Sequence, residues 1–137
     1  MGLKNILYNK IMPALTTVTF NATTTDAHNP TYNGYGVWTL KVPASPEAIA
    51  LDNTTVVDLH QTITIPADCS FSIFPIGSDA LPGSTHSVAL AGTWQGTGSP
   101  QALSVRVLNP SAGGETLTPD GNIAYLVIHR GLHKATT

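Results

Sequence analysis

The chain predicts an all-β fold, a single antiparallel β-sandwich or jelly roll with a short N-terminal arm or helix. Three observations predict it. From Thr16 onward the apolar residues recur with the period of two that marks half-buried strands. Clusters of Gly, Pro, Asn and Asp break the pattern roughly every ten residues, as in two-layer β-proteins. The 137 residues contain no internal repeat, and a chain of this size buries roughly two-thirds of its unfolded surface without disulfides or metals. The domain organisation follows as residues 1–12 for the arm and 13–137 for the sandwich.

In the arm, Leu3, Ile6, Leu7 and Ile11 fall at helical spacing, with Lys4 and Lys10 elsewhere, and Pro13 ends the pattern. So short a helix is marginal in water, so it docks either on its own domain or on a partner. Val18 and Phe20 then alternate with Thr17 and Thr19 as a first strand, and residues 23–30 form a loop. The Gly- and Asn-rich stretch from Tyr32 to Gly36 reads as a turn, and residues 37–42 read as a strand closed by Pro43. Residues 48–51, 54–59 and 62–65 read as short strands or strand pieces, and residues 70–75 as a strand limited by Pro75. A long loop at residues 77–85 follows. Short pieces at residues 86–91 and 93–95 are separated by Gly92, and a further small piece lies at residues 115–117. Residues 122–129 form the longest apolar run, read as a central strand buried on both faces. Its expected partner is residues 102–108, where Leu103, Val105 and Val107 share a face opposite Ser104 and Arg106.

Hydrophobic residues make up 42% of the chain and charged residues 10%, against about 25% charged in an average soluble protein. With a net charge of −2, little keeps copies apart, and self-association is expected. No basic residue lies between Lys41 and Arg106, whereas both ends are mildly basic. The one cysteine, Cys69, is expected to be a buried structural thiol. The start is not expected to be a secretory or myristoylation signal, and no stretch reaches membrane-spanning length. In the reducing compartment this implies, the sequons at Asn21 and Asn53 are chance matches.

The chemistry-bearing residues form few constellations. His129 and His133 would be about 13 Å apart on an extended chain, too far for one ion. Asp58 and His60 share a strand face at roughly 6–7 Å but lack further ligands nearby in sequence. Ser-His-Asp triads can be drawn through His28, His60 or His86, yet no nucleophile elbow accompanies them. A phosphate-cradling motif and a basic stripe for nucleic acid are also missing from the sequence. No enzymatic activity, cofactor, metal, nucleic acid or membrane is therefore expected. Tyr32 and Tyr35, in their Gly/Asn loop, are the candidates for ligand or interface contact. Trp38 and Trp94, in strand-like stretches, are expected in the core.

A short N-terminal segment, a Thr/Gly/Ala-rich β domain, few charges and a single Cys together resemble the small accessory proteins of tailed bacteriophage particles. In that resemblance the chain is a capsid decoration or cement protein, trimeric by preference. It would be made in the host cytoplasm and bound to the major capsid protein on the virion surface. Leu3, Lys4, Ile6, Leu7, Lys10 and Ile11 would make the capsid or subunit contacts. A receptor- or glycan-binding module of a tail fibre, or another head or tail component, is the alternative.

Overall fold

The computed structural model describes residues 16–45, 48–49, 53–76, 88–109 and 115–130. The N-terminal arm and His86 and His133 lie outside these residues. Two antiparallel sheets and a small two-stranded ribbon make up the described fold, an all-β sandwich as the sequence predicts. The first sheet runs β1 (Thr19–Ala22), β5 (Asn53–Thr64), β9 (Gln101–Asn109), β7 (Val88–Ala89). The second runs β2 (Thr31–Gly34), β3 (Val37–Lys41), β11 (Asn122–Arg130), β6 (Cys69–Pro75), β8 (Gly92–Gln95). The ribbon pairs β4 (Ala48–Ile49) with β10 (Glu115–Thr116).

Alternation along each strand places one row of side chains between the sheets. Val57, Leu59 and Ile63 of β5 and Leu103, Val105 and Val107 of β9 meet Leu40 of β3, Leu126 of β11 and Phe71 and Ile73 of β6 in one continuous core. Burying a side chain of this size contributes about 1.5–3 kcal/mol. Cys69 lies in the same core at 1% exposure, and burial raises its thiol pKa, so it is inert as expected.

Four sequence expectations are corrected. Strand β11 does not pair with β9; it pairs with β3 and β6, and β9 pairs with β5 and β7. The two apolar runs share the core because their side chains meet across the sandwich, not along a ladder. Nor is β11 buried on both faces, since Tyr125 is 42% exposed on the outer one. Gly92 does not interrupt a strand but starts β8, where the ring of Trp94 covers it so closely that a Cβ would lie 2.4 Å from the indole. Trp94 itself stacks on Phe71 at 5.4 Å and stays 40% exposed, whereas Trp38 packs against the core.

One irregularity matters most for function. The pieces at residues 54–59 and 62–65 are parts of one strand, β5, and the break between them is a bulge. Asp58 pairs with Ser104 and Gln61 with Leu103, so β5 advances three residues while β9 advances one, and Leu59 and His60 are inserted. An insertion of two keeps the period-two phase. Val57, Leu59, Gln61 and Ile63 therefore all face inward, and the core stays continuous across the irregularity.

Candidate active site at the β5 bulge

His60 sits at the bulge with φ of 55°, a left-handed conformation that costs a non-glycine residue roughly 1–2 kcal/mol. The surroundings hold it there. Its N–H donates to Asp58 Oδ1 at 2.8 Å, and its carbonyl accepts from the N–H of Thr23 at 2.8 Å. This local bond turns the Asp58 carboxylate onto the backbone, so Asp58 caps the bulge and does not face the imidazole as its spacing suggested.

The imidazole instead meets Asp26, delivered by the loop between β1 and β2. His60 Nδ1 lies 2.7 Å from Asp26 Oδ1, and because a carboxylate only accepts, Nδ1 carries the proton. The basic lone pair is then on Nε2. Thr24 donates its hydroxyl to the same Asp26 oxygen and lies 3.3 Å from Nδ1. Hydrogen bonds from Thr24 and then His60 lower the Asp26 pKa, so this carboxylate is ionised and orients the ring. Both side chains are only about one-fifth exposed, at 23% for Asp26 and 22% for His60.

The loop is fixed from below by Gln61. This side chain is 2% exposed, and its Nε2 donates to the His28 carbonyl at 2.8 Å and to Asn29 Oδ1 at 3.2 Å. The two bonds that its buried Nε2 donates tie the loop to one position, while its Oε1 finds no partner among the described residues. Two further links hold the loop. The Ala44 N–H donates to the Asp26 carbonyl at 2.9 Å, and His28 Nδ1 lies 3.4 Å from Asp120 Oδ1. Among the described residues no group of three His, Cys, Asp or Glu stands together to hold a metal ion.

The remaining candidates are elsewhere. Tyr32 is 57% exposed beside Trp38, and Tyr35 is fully exposed at a turn where it adopts φ of 55° between Gly34 and Gly36. Ser72 Oγ lies 3.0 Å from His129 Nε2 and 2.9 Å from Thr93 Oγ1. Ser72 is buried in a strand laddered on both sides, so no pair of backbone donors is left to form an oxyanion hole there. A cavity of about 210 Å³ lined by Thr17, Thr19, Thr64 and Ile65 is bordered by no ionisable side chain among the described residues.

Sequence reasoning weighed Asp58 and His60 and set them aside, and it did not single out Asp26, Thr24 or Gln61. Asp26 is 34 residues from His60, and periodicity carries no information across such a gap. The available signal was Gln61 itself, a polar residue in phase with Val57, Leu59 and Ile63.

No family model matches the chain, and no curated protein matches it in sequence. Solved structures do match. The chain is similar to a variant dUTPase of Staphylococcus bacteriophage 80alpha, with a TM-score of 0.69 at 14% identity over 88% of this chain and 94% of that one. It is also similar to a variant dUTPase from phage phi11 of S. aureus, with a TM-score of 0.68 at 13% identity over 88% and 95% of the two chains. At these identities the likeness establishes the fold.

This finding overturns the resemblance to capsid decoration proteins. Structures that share the fold include phage dUTPases, which are enzymes, so the expectations of a structural virion role, of a capsid-surface location and of no enzymatic activity are corrected. The tail-fibre alternative falls with them, and nothing in the fold supports a major capsid protein as partner. The composition misled because scarcity of charge and abundance of Thr and Gly describe a neutral β-sandwich whatever it does. The phi11 relative is described with a structural Mg(II) ion. The described residues here offer no matching cluster, so no step is assigned to such an ion.

Proposed function

We propose that the protein is a nucleotide-directed hydrolase whose water-activating group is the Asp26–His60 pair. The observation that carries this reading is the 2.7 Å hydrogen bond between them, held on a strained bulge in a fold shared with phage dUTPases. One such neighbour is described with dUpNHpp, which makes a phosphoric anhydride the natural substrate class to test. Asp26 fixes the tautomer and ring orientation and stabilises the imidazolium that forms. His60 Nε2 takes a proton from water, the water oxygen bonds to phosphorus, and the anhydride P–O bond breaks with its electron pair leaving on the departing phosphate.

The same reading makes the protein a homo-oligomer, with a trimer as the specific proposal. Support comes from the outer face of the second sheet. Tyr125 and Phe74 are directly paired and 42% and 43% exposed, and Thr39, Val127 and Ser72 beside them carry no charge. Aromatic enrichment and depletion of charge mark the centre of protein interfaces.

The test is release of pyrophosphate or phosphate from dUTP and the four common deoxynucleoside triphosphates, with Mg²⁺ present, by the full chain. Turnover that His60→Ala and Asp26→Asn both abolish is the expected result. No release from any substrate, or full activity in His60→Ala, would sink the proposal.

A further inference from the structure

At the opposite end of β1 from the bulge, the sandwich opens between its two edges. Strand β1 closes one sheet there and the β2–β3 hairpin closes the other, and between them lies a cleft of about 220 Å³. Val18, Tyr32, Trp38 and Ile128 form its walls, and Gly36 and Arg130 line it as well. Trp38 is fixed from one side by Phe20, edge-on at 5.6 Å, and from the other by Tyr32, tilted by 41° at 4.6 Å. Tyr32 is held in turn: its hydroxyl accepts from the N–H of Gly36 at 3.2 Å, and the Gly36 carbonyl accepts from Ile128 N–H at 2.9 Å. The cleft is therefore pre-formed, with aromatic and aliphatic surface left facing solvent.

The tip of the same hairpin carries the complementary shape. Tyr35 is fully exposed, at 102%, and adopts φ of 55° between Gly34 at 92° and Gly36 at 74°. Left-handed turn positions are ordinarily taken by Asn or Gly, which reach them at less cost than a bulky residue. A tyrosine here brings both backbone strain and an apolar ring in water. Its full exposure means that packing within its own chain offsets neither.

Size, charge and position all match this ring to the cleft of a second copy. The volume is below the roughly 300 Å³ at which small-molecule pockets begin, and it suits one aromatic side chain. Residues 31–36 carry no charged side chain, so nothing on the tip opposes Arg130, and a guanidinium that is ion-paired in its plane still presents a face to a ring. Tyr35 adjoins Gly36, so knob and hole lie side by side on one hairpin. Two copies related by a two-fold axis beside their hairpins can thus exchange rings reciprocally, the self-complementary arrangement of an isologous contact.

We propose that the β2–β3 hairpin is a self-association site, at which Tyr35 of each copy enters the cleft of the other. Two such rings and the walls they cover bury on the order of 600–1,000 Å², the range of weak and reversible contacts. This surface is separate from the outer face of β11 and from the bulge at His60. It stands or falls independently of the oligomer and the hydrolysis proposed above.

Sedimentation velocity of the full chain from about 1 μM to 1 mM should show a reversible doubling of mass, whatever the smallest species is. Tyr35→Ala should raise the Kd of that step at least about tenfold, and Tyr35→Phe should keep it within about twofold. Because the ring is fully exposed, the alanine variant should keep the circular dichroism of the natural chain, which separates loss of association from loss of fold. With p-benzoylphenylalanine in place of Tyr35, irradiation should give a covalent dimer joined at the peptide that holds Val18 or Trp38 of the other copy. Absence of the doubling step would overturn the proposal and leave the cleft to another occupant. A doubling that Tyr35→Ala leaves unchanged, or a covalent dimer joined at the outer face of β11, would overturn it equally.

Discussion

Strands β5 and β11 are the longest of their respective sheets, and they differ in regularity. Strand β11 stays in register with β6 over the seven pairs from Ala124 to Arg130, and its shift against β3 is confined to its first residues. Strand β5 is interrupted in its middle by two inserted residues. The regular strand contributes Ala124 and Leu126 to the core, and its His129 meets Ser72 of β6 at 3.0 Å within an intact ladder that leaves no backbone donors beside the pair. The interrupted one loses ladder bonds and gains a histidine whose backbone is fixed by Asp58 and Thr23 and whose ring is fixed by Asp26. Regularity and chemistry are thus divided between the sheets, with the strained position stabilised by its neighbours.

The sharpest way to break this division is at His60. Its replacement by alanine is expected to lower anhydride hydrolysis by about 10²–10⁴-fold, the usual contribution of a positioned general base, while circular dichroism still reports a folded sandwich. A loss of fold in place of a loss of rate would mean that the bulge serves architecture alone. For β11 the expectation is the reverse. Leu126→Ala removes a fully buried side chain and should cost about 2–5 kcal/mol in urea unfolding, with turnover of the folded fraction unchanged.

Gly96 tests the packing next to both sheets. A Cβ there would lie 2.3 Å from the Pro66 carbonyl oxygen and 2.7 Å from Ile65 Cγ1. Backbone oxygen cannot step aside as a side-chain tip can, so Gly96→Ala should destabilise by about 1–3 kcal/mol in the same measurement.

The pH dependence separates the two regions more gently. The Asp26 carboxyl has a lowered pKa in the folded protein, through its bonds from Thr24 and His60. A depressed acid contributes stability that is fully present above its unfolded value, near 3.8, and is lost as pH falls through the folded one. Urea melts from pH 7 to pH 2 should show a steeper acid loss in the natural sequence than in Asp26→Asn. Parallel profiles would show that the pair is not formed in solution.

The smallest effect is expected on the outer face of β11. Tyr125→Lys should shift the native mass measured by light scattering toward monomer without altering the unfolding free energy of the monomer by more than about 0.5 kcal/mol. An unchanged oligomer would place the interface elsewhere.

Much of the architecture was legible because alternation reports directly on burial. Leu103, Val105 and Val107 announced the inner face of β9, and the run from Ile123 to Ile128 announced a long strand. Which strands pair was not legible, since an apolar row facing across a core reads the same as one beside a neighbour in the sheet. The candidate site was legible only as two residues weighed and set aside. Asp58 and His60 stood out by spacing, but the bulge that separates them depends on register with β9, and Asp26 arrives through a loop whose position is set by the buried amide of Gln61. Function was not legible from composition at all, because a neutral hydroxyl-rich surface suits an enzyme as well as a shell component.

The two-residue insertion in β5 has a consequence for how such a domain can change. An odd number of added residues would swap the inward and outward rows of the remaining strand and place Ile63 in solvent. An even number leaves every later residue on its own side. The segment that bears His60 can therefore lengthen or shorten in pairs across descendant sequences while the aliphatic rows on either side remain untouched. This makes the strand interior, and not only the surface loops, a place where new chemistry can be tried at little structural risk.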